Sequence, residues 1–204
     1  MKVLGFVGSP RKKGNIDTIV DTFLDGAKAT GAQVKKYFLE DYKINQCMGC
    51  FRNCMLQPGF KCKIFRDDMD TIMQEMVSSD LMVFASPLYC ATFSAIMARF
   101  FERMLPFWEV EIVGEPGIPE SYNFLGNPVK GKKAVIGIAH DFKDPSVADL
   151  AIKAFEHNVR DIYMMEIVGK IHVPDVRDPG DVRGKPQEME GIFALGKKLA
   201  GFNK

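Results

Sequence analysis

The sequence carries no large charge of either sign. Its 27 basic and 26 acidic residues leave a formal net charge of +1. That balance excludes a global field that would draw in nucleic acid or an anionic membrane surface. No apolar run is long enough to cross a bilayer. The opening stretch, residues 2–7, is apolar but stops at Gly8. It is too short for a signal-peptide core, and no small-residue cleavage site follows it. The expected compartment is therefore the cytoplasm, where thiols stay reduced. Internal repeats, low-complexity tracts and domain boundaries are also missing. A chain of 204 residues suits one well-buried core, so a single domain over residues 1–204 is expected. Two nucleotide motifs are absent as well: Gly-x-Gly-x-x-Gly and Gly-x-x-x-x-Gly-Lys-[Ser/Thr]. Their absence argues against a dinucleotide Rossmann site and an NTPase P-loop.

What is present is an alternation of hydrophobic periods. Residues 2–7 form a compact apolar run ended by Gly8-Ser9-Pro10, which predicts a buried strand. From Asn15 the period changes to 3.6, with Ile16, Ile19, Val20, Phe23, Leu24 and Ala27 on one face. Further strands are predicted over residues 34–39, 81–85 and 134–139, and within 163–173. Helices follow with apolar faces at Met69–Val77, at Phe93–Leu105, at Val147, Leu150, Ala151, Ala154 and Phe155, and over residues 189–200. Five strand–helix alternations imply an α/β fold, a doubly wound five-stranded parallel sheet of flavodoxin-like order 2-1-3-4-5 with helices on both faces. A Gly- and Pro-rich connection over residues 106–131 is long enough to suggest function or an interface.

In such a sheet, ligands sit beyond the carboxyl ends of the strands. The first strand leads into Gly8-Ser9-Pro10-Arg11-Lys12-Lys13-Gly14-Asn15. Gly8 and Gly14 permit close backbone approach. Ser9 and Asn15 offer side-chain hydrogen bonds, Arg11 can neutralise a phosphate, and the helix start presents free N–H groups to an anion. A plain strand-to-helix turn with solvated cations is the competing reading.

The run Gly-Ser-Pro-Arg-x-x-Gly-Asn resembles the phosphate loop of the NADPH-dependent FMN reductase family of flavodoxin-like proteins. Ser86-Pro87-Leu88-Tyr89, followed by Phe93-Ser94-Ala95, is similar to that family's turn after the third strand. Asp67-Asp68-Met69 before a helix resembles its iron–sulfur flavoprotein branch. The resemblance covers residues 1–103 well and the remainder in general layout. It implies that Ser9, Arg11 and Asn15 bind the FMN phosphate and that Pro87, Leu88 and Tyr89 line the isoalloxazine. Gly14, Cys90 and His140 complete the candidate cofactor site. Cys90 directly follows Tyr89, where a small buried hydrophobe is the commoner role. His140 sits in the loop after the fourth strand, where it can hydrogen-bond a flavin or stand on the surface without a role.

Four of the five cysteines, Cys47, Cys50, Cys54 and Cys62, fall within sixteen residues. The iron–sulfur branch holds a [4Fe–4S] cluster on C-x2-C-x2-C and a fourth cysteine; this chain has C-x2-C-x3-C-x7-C, one residue longer. Lys43, Arg52, Lys61, Lys63 and Arg66 are interspersed without any Asp or Glu from 43 to 66. Such a span can offset thiolate charge or dock an acidic electron donor. Zinc and unmetallated thiols are the alternatives.

The resulting expectation is an FMN-dependent oxidoreductase that passes electrons from NAD(P)H to a small-molecule acceptor. The alternative is an iron–sulfur flavoprotein fed by ferredoxin through a cluster on those cysteines. No acid–base pair is required for hydride transfer, and none is named. The resemblance also implies a homodimer or homotetramer. The connection over residues 106–131, carrying Phe107, Trp108 and Tyr122, is the candidate contact; satellite core packing is the equal alternative for these aromatics.

Overall fold

A computed structural model describes residues 1–56, 59–114 and 121–201. The central sheet contains β1 (Lys2–Val7), β2 (Gln33–Phe38), β3 (Leu81–Tyr89), β7 (Lys133–Ala139) and β8 (Glu166–Val173). Its order is β2-β1-β3-β7-β8, with every neighbouring pair parallel. This is the expected flavodoxin-like order. The crossovers are α1 (Asn15–Lys28), α3 (Met69–Val77), α4 (Ala95–Arg103) and α5 (Asp149–Glu156); α6 (Pro186–Gly201) follows β8. A short helix, α2 (Arg52–Met55), lies in the cysteine-bearing segment.

Strand alternation sorts the side chains to two faces. Leu4 and Phe6 of β1 join Phe84, Phe100 and Phe101 in the layer under α3, α4 and α5. Val3 and Val7 point the other way, onto Ile19, Val20 and Phe23 of α1 and Ile192 and Leu199 of α6. The Phe6 ring stacks between Tyr37 and Phe84, with centroids 5.4 and 5.0 Å away. Both faces of the sheet are therefore dry, as an all-parallel sheet requires.

Three expectations need correction. The strand predicted to end at Ala85 continues through Ser86 and Pro87 to Tyr89, then folds back as a hairpin on β4 (Thr92–Phe93). The turn falls at Cys90 and Ala91, both with positive φ, rather than at Ser86–Tyr89. Proline is tolerated there because Pro87 lies near the end of the ladder, opposite Ala139. The connection at 106–131 is not structureless: β5 (Glu109–Val113) and β6 (Ser121–Gly126) pair as an antiparallel ribbon. Its outward residues read as loop because a two-stranded ribbon buries little. Leu150, placed by periodicity on the inner face of α5, is 67% exposed. Leu150 lies in the first turn of α5, and Ala151 and Phe155 point inward instead.

Helices α1 and α6 cross at their glycines. A Cβ on Gly196 would come 2.1 Å from the Phe23 carbonyl oxygen, and one on Gly26 would come 2.1 Å from that of Phe193. Backbone cannot yield as a side-chain tip does, so α6 would have to lift from α1. Gly196→Ala is expected to lower the unfolding free energy by about 2 kcal/mol or more, read from urea unfolding; an unchanged midpoint would show that the two helices are not held in this contact.

Candidate functional site

Four loops at the carboxyl edge of the sheet converge on one cavity of about 250 Å³. Ser9, Arg11, Asn15 and Ile16 come from the β1–α1 loop and the start of α1. Pro87, Leu88 and Tyr89 come from the end of β3, and Ala139, His140 and Asp141 from the end of β7. Val176, Arg177 and Pro179 come from the loop after β8, which residue patterning had not linked to the site.

The floor is set by hydrogen bonds between strands. The Gly8 N–H donates to the Ala85 carbonyl (2.8 Å), so the first loop starts level with the end of β3. The buried Ser94 hydroxyl donates to the Gly8 carbonyl. It also accepts from the Met97 N–H (3.2 Å), capping α4. The Ser94 N–H donates to Ser86 Oγ (2.8 Å). One residue thus joins the first loop and α4 through its hydroxyl and the third strand through its backbone N–H. Ser94 belonged to a quoted motif, yet its role was not legible from spacing.

At the start of α1, Gly14 is the N-cap and supplies no side-chain cap. The helical ladder begins with the Thr18 N–H on the Gly14 carbonyl (3.0 Å). The preceding N–H groups of the first turn are thus free of the ladder, and Asn15 and Ile16 border the cavity. A Cβ on Gly14 would lie 2.8 Å from the Arg11 carbonyl oxygen, so the loop closes this tightly only with glycine. The Arg11 N–H donates to Ser9 Oγ (3.2 Å), and its guanidinium donates to the Arg177 carbonyl (3.3 Å). The Asn15 amide is engaged with the loop after β8. It donates to the Asp178 carbonyl (3.1 Å) and accepts from the N–H groups of Gly180 and Val182 (3.0 and 3.1 Å). Asn15 therefore fastens the fourth wall. Free helix-start donors, Ser9 and Arg11 at one end, with Pro87, Leu88 and Tyr89 beyond, fit a phosphate joined to a planar ring.

His140 is buried, not on the surface. Its Nε2 lies 2.8 Å from that of His172. Burial lowers the pKa of both rings, and His172 lowers that of His140 further. Cys90 is exposed at the tip of the β3–β4 turn, contrary to the expected buried position. Neither Cys90 nor Gly14 lines the cavity. A hairpin tip has no second layer above it, which is why the Cys90 side chain faces outward.

The other cysteines gather at a separate place. Cys47, Cys50, Cys54 and Cys62 all line a small cavity walled by Phe51, Ile64, Phe65, Leu105 and Pro106. Backbone N–H groups of Gly49 and Phe65 donate to the sulfurs of Cys47 (3.5 Å) and Cys62 (3.4 Å). Burial and the thiols of Cys50, Cys47 and Cys62 push the Cys54 pKa up to about 11. Among the described residues, no group of three or more His, Cys, Asp or Glu side chains is set to hold a single metal ion. Arg103, also at this cavity, is buried and pairs with Asp67 through two contacts of 2.7 and 3.0 Å. Burial alone would raise the Asp67 pKa; bonds from Arg103 and Asn45 outweigh it and hold the carboxyl at about 2. Arg103 also donates to the Asn45 carbonyl (2.9 Å). The ends of the cysteine segment are thereby tied to α4.

Comparison with known proteins places this geometry. The NADPH-dependent FMN reductase family matches residues 1–119. The chain belongs to that family. An iron–sulfur flavoprotein of Archaeoglobus fulgidus is 39% identical over 107 residues, 52% of this chain and 47% of that protein. The match thus spans about half the length of that relative. An iron–sulfur flavoprotein of Methanocaldococcus jannaschii is 29% identical over 207 residues, covering 98% of this chain and 96% of the other. Among solved structures, an FMN-dependent NADH-azoreductase from Bacillus anthracis in complex with FMN superposes with a TM-score of 0.65. It has 13% identity and covers 98% of this chain and 100% of the other. At that identity the likeness speaks for the fold, which agrees with the strand order above.

The Ser94 junction yields a direct expectation for this family member. Ser94→Ala removes a helix cap and leaves the Gly8 carbonyl without its donor. The combined cost is about 1–3 kcal/mol, read as a drop in the thermal midpoint. A variant as stable as the parent would show that the junction is not formed.

Proposed function

We propose that this protein is an FMN-dependent oxidoreductase in which NAD(P)H reduces FMN held at the carboxyl edge of the sheet and the electrons pass to a small-molecule acceptor. One observation carries the reading: an uncapped helix start and Arg11 meet one end of a cavity whose other end is walled by Pro87, Leu88 and Tyr89. Ser9, Arg11 and the first N–H groups of α1 hold the phosphate dianion by charge-assisted bonds. Gly14 keeps the loop close enough to do so, and Asn15 anchors the fourth wall against it. Leu88 and Tyr89 pack on the ring, and His140 meets a polar edge. Bound FMN supplies the hydride-accepting chemistry; the chain supplies orientation and charge. Arg11→Ala is expected to weaken FMN binding about 10- to 100-fold, the range of one charge-assisted bond, measured by quenching of FMN fluorescence. Parent protein that binds no FMN, or whose FMN neither NADH nor NADPH reduces, would defeat the reading.

A second centre is favoured by the convergence of Cys47, Cys50, Cys54 and Cys62 on one cavity with N–H groups aimed at two sulfurs. Four thiols, apolar walls and N–H···S donors suit an iron–sulfur cluster of the [4Fe–4S] class. The names of the archaeal relatives support it. A cluster there would add one-electron chemistry, and a ferredoxin-like acidic donor would dock on the basic span around Lys43, Lys61, Lys63 and Arg66. The β5–β6 ribbon presents Ile112, Val113, Tyr122 and Leu125 outward, each 38–53% exposed, which suits contact with a second copy in a homodimer or homotetramer. No helix among the described residues is long and apolar enough to cross a membrane, in keeping with a cytoplasmic setting. Anaerobically purified protein tests both points. Iron and sulfide in stoichiometry with flavin, and a multimeric mass by light scattering, are expected. Flavin without iron would remove the cluster, and a monomeric mass would remove the assembly.

A further inference from the structure

The His140–His172 contact has a chemistry of its own. His172 is the penultimate residue of β8 and pairs in register with Ile138, while the His140 N–H reaches the Val173 carbonyl (3.2 Å). The strand ends therefore bring the two rings together, with centroids 5.1 Å apart and Nε2 to Nε2 at 2.8 Å. Two bare nitrogens at that distance repel, and two N–H groups collide. One proton must lie between them. Each neutral ring carries a single N–H, so one ring donates through Nε2 and keeps a bare Nδ1, and the other carries its proton at Nδ1. His140 Nδ1 is buried, and the Phe142 backbone beside the ring favours a proton on it. The pair can accept one further proton at its bare nitrogen and spread the charge across both rings. A second would set two cations 2.8 Å apart. The charged groups around the pair are Asp141 and Asp144 beyond β7, Asp149 at the start of α5, and Arg177, whose guanidinium lies 3.6 Å from Asp141. Burial keeps both rings neutral in the resting site, and the three carboxylates favour an added proton.

We propose that the His140–His172 pair takes up one proton when flavin in the adjoining cavity is reduced and releases it on reoxidation. The proposal rests on the reading that FMN occupies this cavity. A C–H bond of NAD(P)H breaks with both electrons, and the hydride forms one N–H bond on the flavin. NAD(P)⁺ leaves, and the cavity has gained one negative charge. A proton from a buffer acid bonds to the bare imidazole nitrogen, and the conjugate base remains in solvent. On reoxidation the flavin N–H bond breaks and the acceptor takes its hydrogen with both electrons, as a hydride equivalent; the negative charge is gone from the cavity, and the imidazole returns its proton to the buffer base. His140 borders the cavity and is the group that meets the cofactor; His172 acts through it, as a positioning residue that sets which nitrogen is bare.

The test is the pH dependence of the bound-flavin potential in the full-length holoprotein, whose slope counts protons taken up per electron pair. Between about pH 6 and 8, the parent should take up one proton more than His140→Gln, and His172→Gln should shift the pH at which that proton is gained. Equal slopes in parent and His140→Gln, with flavin bound in both, would overturn the proposal while leaving the flavin reading intact. A chain that binds no flavin would remove both. Long-range ¹H–¹⁵N spectra of the oxidised parent give a measurement free of any substitution. Opposite tautomers and one shared protonation are expected. Two like tautomers, or two independent titrations, would overturn the pairing.

Discussion

The Ser94 hydroxyl on the Gly8 carbonyl is the bond on which the carboxyl edge of the sheet depends. Parallel strands cannot place their end loops through a shared turn, because each is joined to the next by a helix on the far side. Something must fix the loops to one another. Here Gly8 leans on Ala85 by backbone, Ser86 holds the Ser94 amide, and Ser94 returns to Gly8 while capping α4. The first loop, the third strand and a helix are thereby held at one level. Asn15 repeats the device on the other side, stitching the start of α1 to the loop after β8.

The two candidate centres are supported differently. The candidate flavin cavity is built on strand ends, whose positions the sheet dictates. The cysteine cavity is built on a segment with little regular structure, held by a buried ion pair. Arg103 and Asp67 are almost fully enclosed, with side chains 2% and 0% exposed. Such a pair gains little net stability over an apolar substitute, but losing either partner leaves a buried charge at a cost of about 3–5 kcal/mol. Its value here is positional: it holds residues 45 and 67 against α4 on either side of the cysteines.

Parts of the site were legible because their signal is local. The apolar run before Gly8, the period-3.6 face after Asn15 and the Ser-Arg-Gly spacing between them are properties of adjacent residues. They gave the first strand, the first helix and the loop joining them nearly to the residue. The hairpin at Cys90 and Ala91 was misread as a turn at Ser86–Tyr89 because Pro87 looks like a terminator. The ladder opposite Ala139 tolerates it only for reasons of register. The pairing of Glu109–Val113 with Ser121–Gly126 leaves no such local signal, since these strands pair only with each other.

By itself, the sequence determined the alternating α/β order, the two-faced core and the glycine-bounded loop from Gly8 to Asn15 after the first strand, because hydrophobic period and glycine spacing act over a few residues. Only the tertiary structure decided what joins across the chain. It put His140 against His172, engaged the Asn15 side chain with the loop after β8, brought Arg177 to the cavity and drew four cysteines around one space. The physical reason is that each of these contacts joins residues far apart in the chain, through parallel pairing, loop hydrogen bonds or a buried charge, and none of these leaves a mark on neighbouring positions.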